Sequence, residues 1–128
     1  MTERANNERR SRRSTDPLVA LHYQLATTRT DGELDAIVVA DASGVVVAGA
    51  GSWAACEELA AYAPFFEDDL GGASASVSHR VSTLRSTVEV ARVKLGPTDV
   101  LVCARGGAQR RASLDRAVAG IARILRAA

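Results

Sequence analysis

Residues Leu34 to Gly51 read LDAIVVADASGVVVAGAG, and their reading decides the fold. Two runs, Ala36-Ile37-Val38-Val39-Ala40 and Val45-Val46-Val47-Ala48, flank Asp41-Ala42-Ser43-Gly44. β-Branched residues fill both runs, and their stiff χ1 suits a pleated surface better than a helix. Asp41 can accept bonds from the backbone two residues on, and Gly44 can take a positive φ without a Cβ penalty. A short loop ending in such a glycine is a common way to reverse an antiparallel pair. The stretch therefore predicts one β-hairpin. Its strands are apolar on both faces, so helices must cover the sheet on both sides.

The chain around it has 128 residues, 47% of them hydrophobic. That is enough for one domain with a core that needs no staples. The net charge of +1 gives no whole-chain push toward nucleic acid or membrane. Aromatics make up only 4%, a poor supply for a base-stacking platform, so nucleic acid is not an expected partner. Lys94 is the sole lysine among 16 basic residues, a bias that fits a GC-rich bacterial genome and carries no function by itself. Cys56 and Cys103 lie far apart, with no CxxC or Cys/His cluster, so no metal site is expected and buried free thiols are. No apolar run approaches membrane-spanning length and no signal-peptide core is present, which predicts a soluble, cytoplasmic protein.

Residues 1–15 hold Arg4, Arg9, Arg10, Arg12 and Arg13 against Glu3 and Glu8, with almost no apolar content. They read as a disordered basic tail, either merely solvated or in contact with an acidic protein, nucleic acid or anionic lipid. Residues 16–128 form the domain. Asp16-Pro17 opens a helix as N-cap and first helical residue. Leu18, Leu21, His22 and Leu25 make its apolar stripe, with His22 read as a hydrogen-bonded core or border histidine. Asp31-Gly32 ends it. After the hairpin, Ser52 caps a second helix that contains Glu57, Glu58, Leu59, Tyr62, Phe65 and Phe66, and Pro64 kinks or ends it. Gly71-Gly72-Ala-Ser-Ala-Ser76 is a flexible link.

Val77, His79, Val81 and Thr83 alternate with Ser78, Arg80 and Ser82, which predicts a half-polar edge strand guarded by Arg80. Val88 and Val90 start another strand, and the shift of apolar phase to Val93 and Leu95 predicts a bulge near Ala91-Arg92. Val100 to Ala104 is apolar throughout, hence central. The loop Gly106-Gly107-Ala-Gln-Arg110-Arg111 lacks the ending of a P-loop, so phosphate binding there has little support. Ser113 caps the last helix, whose inner stripe is Leu114, Val118, Ile121 and Leu125. The expected order is α-β-β-α-β-β-β-α. This is an α/β (α+β) fold with a five-stranded, mainly antiparallel sheet and helices on both faces.

That order, with Ala36-Ile-Val-Val-Ala-Asp-Ala-Ser-Gly44, Val45-Val-Val-Ala-Gly49 and Glu57-Glu-Leu-Ala-Ala61, resembles the Roadblock/LC7 family. Val88-Glu-Val-Ala-Arg-Val93 and Val100-Leu-Val-Cys103 extend the resemblance over residues 17–127. It implies profilin-like layering and a non-catalytic homodimer. That dimer would serve as an adaptor or regulator of a small Ras-like GTPase or of a larger signalling or motility complex. The expected interface combines Glu57, Glu58, Tyr62, Phe65 and Phe66 of the second helix with Val77, His79, Val81 and Thr83 of the edge strand. Asp41 and Gly44 are structural turn residues.

No nucleophile, base and orienting group are arranged for catalysis, so no enzyme, catalytic residue or cofactor is expected. A Cys56–His79 pair has only coincidence behind it. The competing class is a small-molecule sensor domain of the GAF or PAS kind. It needs a cavity lined by larger, more varied side chains than this Ala/Val-rich core supplies.

Overall fold

The computed structural model describes residues 16–67 and 75–127. The expected tail, and residues 71–74 of the expected link, lie outside them. Eight elements follow in order: α1 (Pro17–Gly32), β1 (Ala36–Asp41), β2 (Val46–Ala50), α2 (Trp53–Glu67), α3 (Ala75–Leu84), β3 (Val88–Leu95), β4 (Thr98–Arg105) and α4 (Arg110–Ala127). The described strands form one antiparallel sheet in the order β2-β1-β4-β3.

β1 is buried from Ala36 to Ala40 because it has a strand on each side and a helical layer on each face. Ile37 and Val39 join Val102 and Ala104 against Leu21 and Leu25 of α1 and Leu114, Ala117 and Ile121 of α4. Ala36, Val38 and Ala40 face the other way with Leu101 and Cys103, against Ala55, Cys56, Leu59, Ala60 and Ala63 of α2. Strand alternation thus splits one apolar run between two cores.

α1 begins as its sequence predicts. Asp16 Oδ1 accepts from the N–H of Val19 at 3.2 Å, and proline occupies the first turn. At its end Glu33, at φ 52°, takes the left-handed cap and donates its N–H to the carbonyl of Thr30 at 3.3 Å. Ser52 caps α2, its Oγ accepting from the N–H of Ala55 at 3.2 Å.

Four expectations are corrected. First, Val77 to Thr83 is not a strand: it lies in helix α3. The described order is α-β-β-α-α-β-β-α with four strands, and the edges of the sheet are β2 and β3. Period 2 was only one of two periods in this segment, since Val77, Val81 and Leu84 also recur at i, i+4 and i+7. The helix buries Val81 and Leu84, and Leu84 packs with Val88 and Leu101.

Second, β3 pairs with β4 in unbroken register from Val88↔Arg105 to Leu95↔Thr98, so no bulge interrupts Ala91-Arg92. Its apolar phase changes because the strand passes from one core to the other: Val88 belongs with α2 and Val93 with α4. The irregularity lies in the hairpin instead, where β1 and β2 slip register between Val39 and Ala40.

Third, of the two outcomes expected at Pro64, an end to the helix is ruled out: α2 runs through it to Glu67. Proline cannot bond the carbonyl of Ala60 four residues back. The hairpin turn lies over that carbonyl, where a Cβ on Gly44 would come within 3.3 Å of it. Fourth, Ser113 does not cap α4. The helix starts at Arg110, and the N–H of Ser113 already bonds the carbonyl of Gln109 at 3.1 Å. Gly106 and Gly107, both at positive φ, turn the chain into the helix early.

Candidate partner-binding face

The β1–β2 turn is built around one carboxylate. Asp41 Oδ1 accepts from the N–H of Ser43 at 2.9 Å, the Oγ of Ser43 at 2.6 Å and the N–H of Val45 at 3.0 Å. The N–H of Gly44 adds a bond of 3.1 Å to the carbonyl of Asp41, and Gly44 itself sits at φ 88°. The Ser43 hydroxyl and then the Val45 amide hold the carboxyl below its usual pKa, because both stabilise the charged form. Oδ1 of Asp41 thus gathers the turn's donors onto one oxygen.

The elements expected to form an interface do meet, though as two helices. Arg80 of α3 donates from Nη2 to Oε1 of Glu58 on α2 at 2.6 Å. Arg105, at the end of β4, brings Nη1 within 3.8 Å of the same oxygen and Nε within 3.8 Å of Oδ2 of Asp35. A chain of alternating charge, Arg80–Glu58–Arg105–Asp35, therefore ties α3 to α2 and to the strand ends. The 77–83 alternation hid this network, because it assigned Arg80 to guarding a sheet edge. The opposite signs of Arg80 and Glu58 were the available signal.

Around this tie the expected residues divide. Glu57, His79 and Thr83 are exposed; Tyr62, Phe65, Phe66 and Val77 are half-buried; Val81 is buried. Thr83 Oγ1 donates to the carbonyl of His79 at 2.9 Å, a bond within the helix turn. Tyr62 and Phe66 pack on the α2-side core. The sequence reading missed Trp53, which opens α2 with two thirds of its surface exposed (66%).

Cys56 and His79 are not brought together. Cys56 is buried on the inner side of α2, with Sγ 3.7 Å from the carbonyl of Ala50, while His79 stands exposed on α3. Burial raises the Cys56 thiol above its ordinary pKa and pushes that of Cys103 up to about 12. Neither holds a useful thiolate fraction at neutral pH. The Nδ1–H of His22 donates to the carbonyl of Gly49 at 3.3 Å, a border role between α1 and β2. Among the described residues, no group of three His, Cys, Asp or Glu side chains could hold a metal ion.

A recess of about 320 Å³ is lined by Glu89, Ala108, Gln109, Arg110, Arg111 and Ala112. Both of its arginines pair with Glu89, Arg110 at 4.0 Å and Arg111 at 3.8 Å, and Arg110 also donates to the carbonyls of Gly106 and Ser86, while its Nε is buried without a partner. No described helix is long and apolar enough to cross a membrane.

No known family profile and no curated protein matches the chain. Among solved structures, the chain is similar to Myxococcus xanthus MglB, with a TM-score of 0.54 and 13% identity. The likeness covers 85% of this chain and 90% of that one. At such identity it is a likeness of fold, and MglB is a Roadblock/LC7 protein. The architecture, from the β1–β2 hairpin outward, is therefore similar in fold to that of MglB.

Proposed function

We propose that the protein is a non-catalytic, homodimeric adaptor or regulator whose partner is a small Ras-like GTPase or a larger complex that contains one. The observation that carries this reading is the Roadblock-type fold together with the α2–α3 face. That face offers half-buried Tyr62, Phe65, Phe66 and Val77 beside exposed Glu57, His79 and Thr83. Aromatic groups within a polar rim are the composition that protein contacts favour. A second copy and the GTPase would engage this face and the neighbouring β3 edge, whose outer backbone groups have no strand partner among the described residues. The protein would act in the cytoplasm without a cofactor. Asp41 and Gly44 would serve only to hold the turn against α2.

The test has two arms. Light scattering at micromolar concentration should give twice the chain mass. His79→Glu with Thr83→Glu should shift it toward one, since both positions are exposed on α3 and their replacement leaves the cores alone. Val81→Pro is unsuitable, because Val81 is buried in a helix and its loss would damage packing as well as any seam. In the second arm, Ras-like GTPases from the source cell, loaded with GDP or a non-hydrolysable GTP analogue, are offered to the immobilised protein. Binding that depends on the nucleotide supports the reading. A monomer throughout the range together with nucleotide-independent binding sinks it.

A further inference from the structure

The two edges of the sheet differ in chemistry. β3 carries Glu89, Arg92 and Lys94, charges of the kind that keep an edge from pairing at random. β2, Val-Val-Ala-Gly-Ala, carries none, and among the described residues no strand lies along its outer side. In an antiparallel pair every second residue of an edge strand turns its N–H and C=O away from its neighbour. Gly49 is one of these, since its carbonyl is met from α1 by Nδ1 of His22 at 3.3 Å.

Apolar side chains stand exposed on both faces beside this edge. His22 marks the β2 side of α1, while Gln24 marks the α4 side, where a Cβ on Gly120 would touch it. Leu18 and Val19 lie at i−4 and i−3 from His22 and so share its side of the helix. On the opposite face of the sheet α2 runs back along β2. A Cβ on Gly49 would come 2.9 Å from Sγ of Cys56, and one on Gly44 would come 3.3 Å from the carbonyl of Ala60. Trp53 stands one turn before Cys56 on that side, and Val45 leads into the strand. Leu18, Val19, Val45 and Trp53 are four of the five large hydrophobic side chains exposed among the described residues, and Tyr23, the fifth, follows His22.

The charges nearby are acidic and lie at one end. α1 runs in the same direction as β2: Arg29 near its end donates to the carbonyl of Asp35, at the start of β1, which pairs with the end of β2. From His22 back to Asp16 the helix falls by about 9 Å, and from Gly49 back to Val46 the strand falls by about 10 Å. Asp16 therefore stands level with the start of β2, the end where Asp41 holds the turn. Neither carboxylate meets a basic side chain among the described residues.

We propose that the free edge of β2 takes an extended segment of a partner protein as an added antiparallel strand, a short apolar run that ends in a basic residue. Outward backbone donors and acceptors call for an extended backbone, and apolar groups on both faces call for apolar side chains pointing both ways. An antiparallel segment finishes where β2 begins, which brings its basic end to Asp16 and Asp41. A second copy laid along the edge would bring β2 itself, which has no basic residue for these acids. The surface lies at the opposite edge of the sheet from β3, and its occupation does not depend on the dimer or on a GTPase.

Nuclear magnetic resonance of the isotope-labelled full chain tests this, with the peptide acetyl-Thr-Val-Ile-Val-Arg-amide titrated to millimolar concentration. The amides of Val46 to Ala50 should shift and exchange more slowly, and the indole of Trp53, the sole tryptophan, should shift with them. Proline in place of the peptide's isoleucine removes a donor and should abolish binding. Leu18→Ser with Trp53→Ser should weaken binding about tenfold or more. Asp16→Asn with Asp41→Asn, which keeps an oxygen for the cap and the turn, should weaken it about threefold. Arg123→Glu, exposed on α4, should leave it unchanged. The spectrum of each variant shows that the fold is kept. Four results would overturn the proposal: no shift in β2 at millimolar peptide, equal binding of the proline peptide, shifts confined to β3, or self-association that Leu18→Ser with Trp53→Ser abolishes, which would give the edge to a second copy.

Discussion

The β1–β2 hairpin and the segment Ala75–Leu84 both carry valines in a pattern that reads as strand, yet one folds as strands and the other as a helix. The hairpin is over-determined. Asp41 fixes the turn by three accepted bonds, Gly44 supplies φ 88°, and Ile37, Val38 and Val39 are each wholly buried between two cores. Every level of organisation gives the same answer. In α3, three serines, one threonine, two valines and one histidine make seven of ten residues, all poor helix formers. Its local preference is weak in either direction. The outcome is set by tertiary partners: Glu58 for Arg80, and the Leu101–Val88 corner for Leu84. Where local signals agree, periodicity can be trusted; where they are weak, a neighbouring helix decides.

The sharpest way to break this contrast is at the turn. Gly44→Val puts a β-branched residue at a positive φ, with its Cβ 3.3 Å from the carbonyl of Ala60. A loss of about 1–3 kcal/mol is expected in urea unfolding. An unchanged midpoint would show that the hairpin is no better specified than α3.

Next comes the tie that holds α3. Arg80→Ala removes a pair with side chains 41% and 31% exposed, so solvent screening limits its worth to about 0.2–1 kcal/mol. The loss should appear locally, as faster amide exchange in residues 77–84 with β1 unaffected, and high salt should shrink the difference. Uniform acceleration across β1 and α3 would contradict the view that α3 is held separately.

A smaller effect tests the helix itself. Ser82 is exposed in α3, and alanine is the better helix former, so Ser82→Ala should stabilise by up to about 0.5 kcal/mol. In an edge strand the same change would be neutral or harmful. A destabilised variant would restore the strand reading.

The hairpin, the α1 and α2 caps, the central position of Val100–Ala104 and the two covered faces were legible because each has a local cause. The missing information is of another kind. Nothing in VEVARVKL tells that Val88 and Val93 serve different cores; that follows only once α2 and α4 have taken opposite faces. Likewise Ser113 has the chemistry of a cap, but Gly106 and Gly107 turn the chain so that the helix already starts at Arg110. Of the candidate face, the membership of α2 was readable from its aromatics. The Glu58–Arg80–Arg105 tie was not, because it depends on where β4 ends.

The least effect, and the one that isolates the turn from everything packed on it, is the response to acid. The Asp41 carboxyl has its pKa lowered in the folded protein, first by the Ser43 hydroxyl and then by the Val45 amide. A group whose pKa falls on folding binds its proton less readily in the folded than in the unfolded chain. Its contribution is therefore whole above the unfolded carboxylate value near 3.8 and is lost as pH drops through the lower folded value. Asp41→Asn removes the titration while keeping an acceptor oxygen for the two amides. The variant should be slightly less stable than wild type at pH 7, and the gap should close as the pH is lowered past the carboxylate range. Ser43→Ala should reduce the acid sensitivity too, since the hydroxyl is the largest cause of the shift. If the two stability curves ran parallel down to the lowest pH at which the protein folds, the Asp41 carboxylate would not be what holds the hairpin closed. The contrast with α3 would then rest on burial alone.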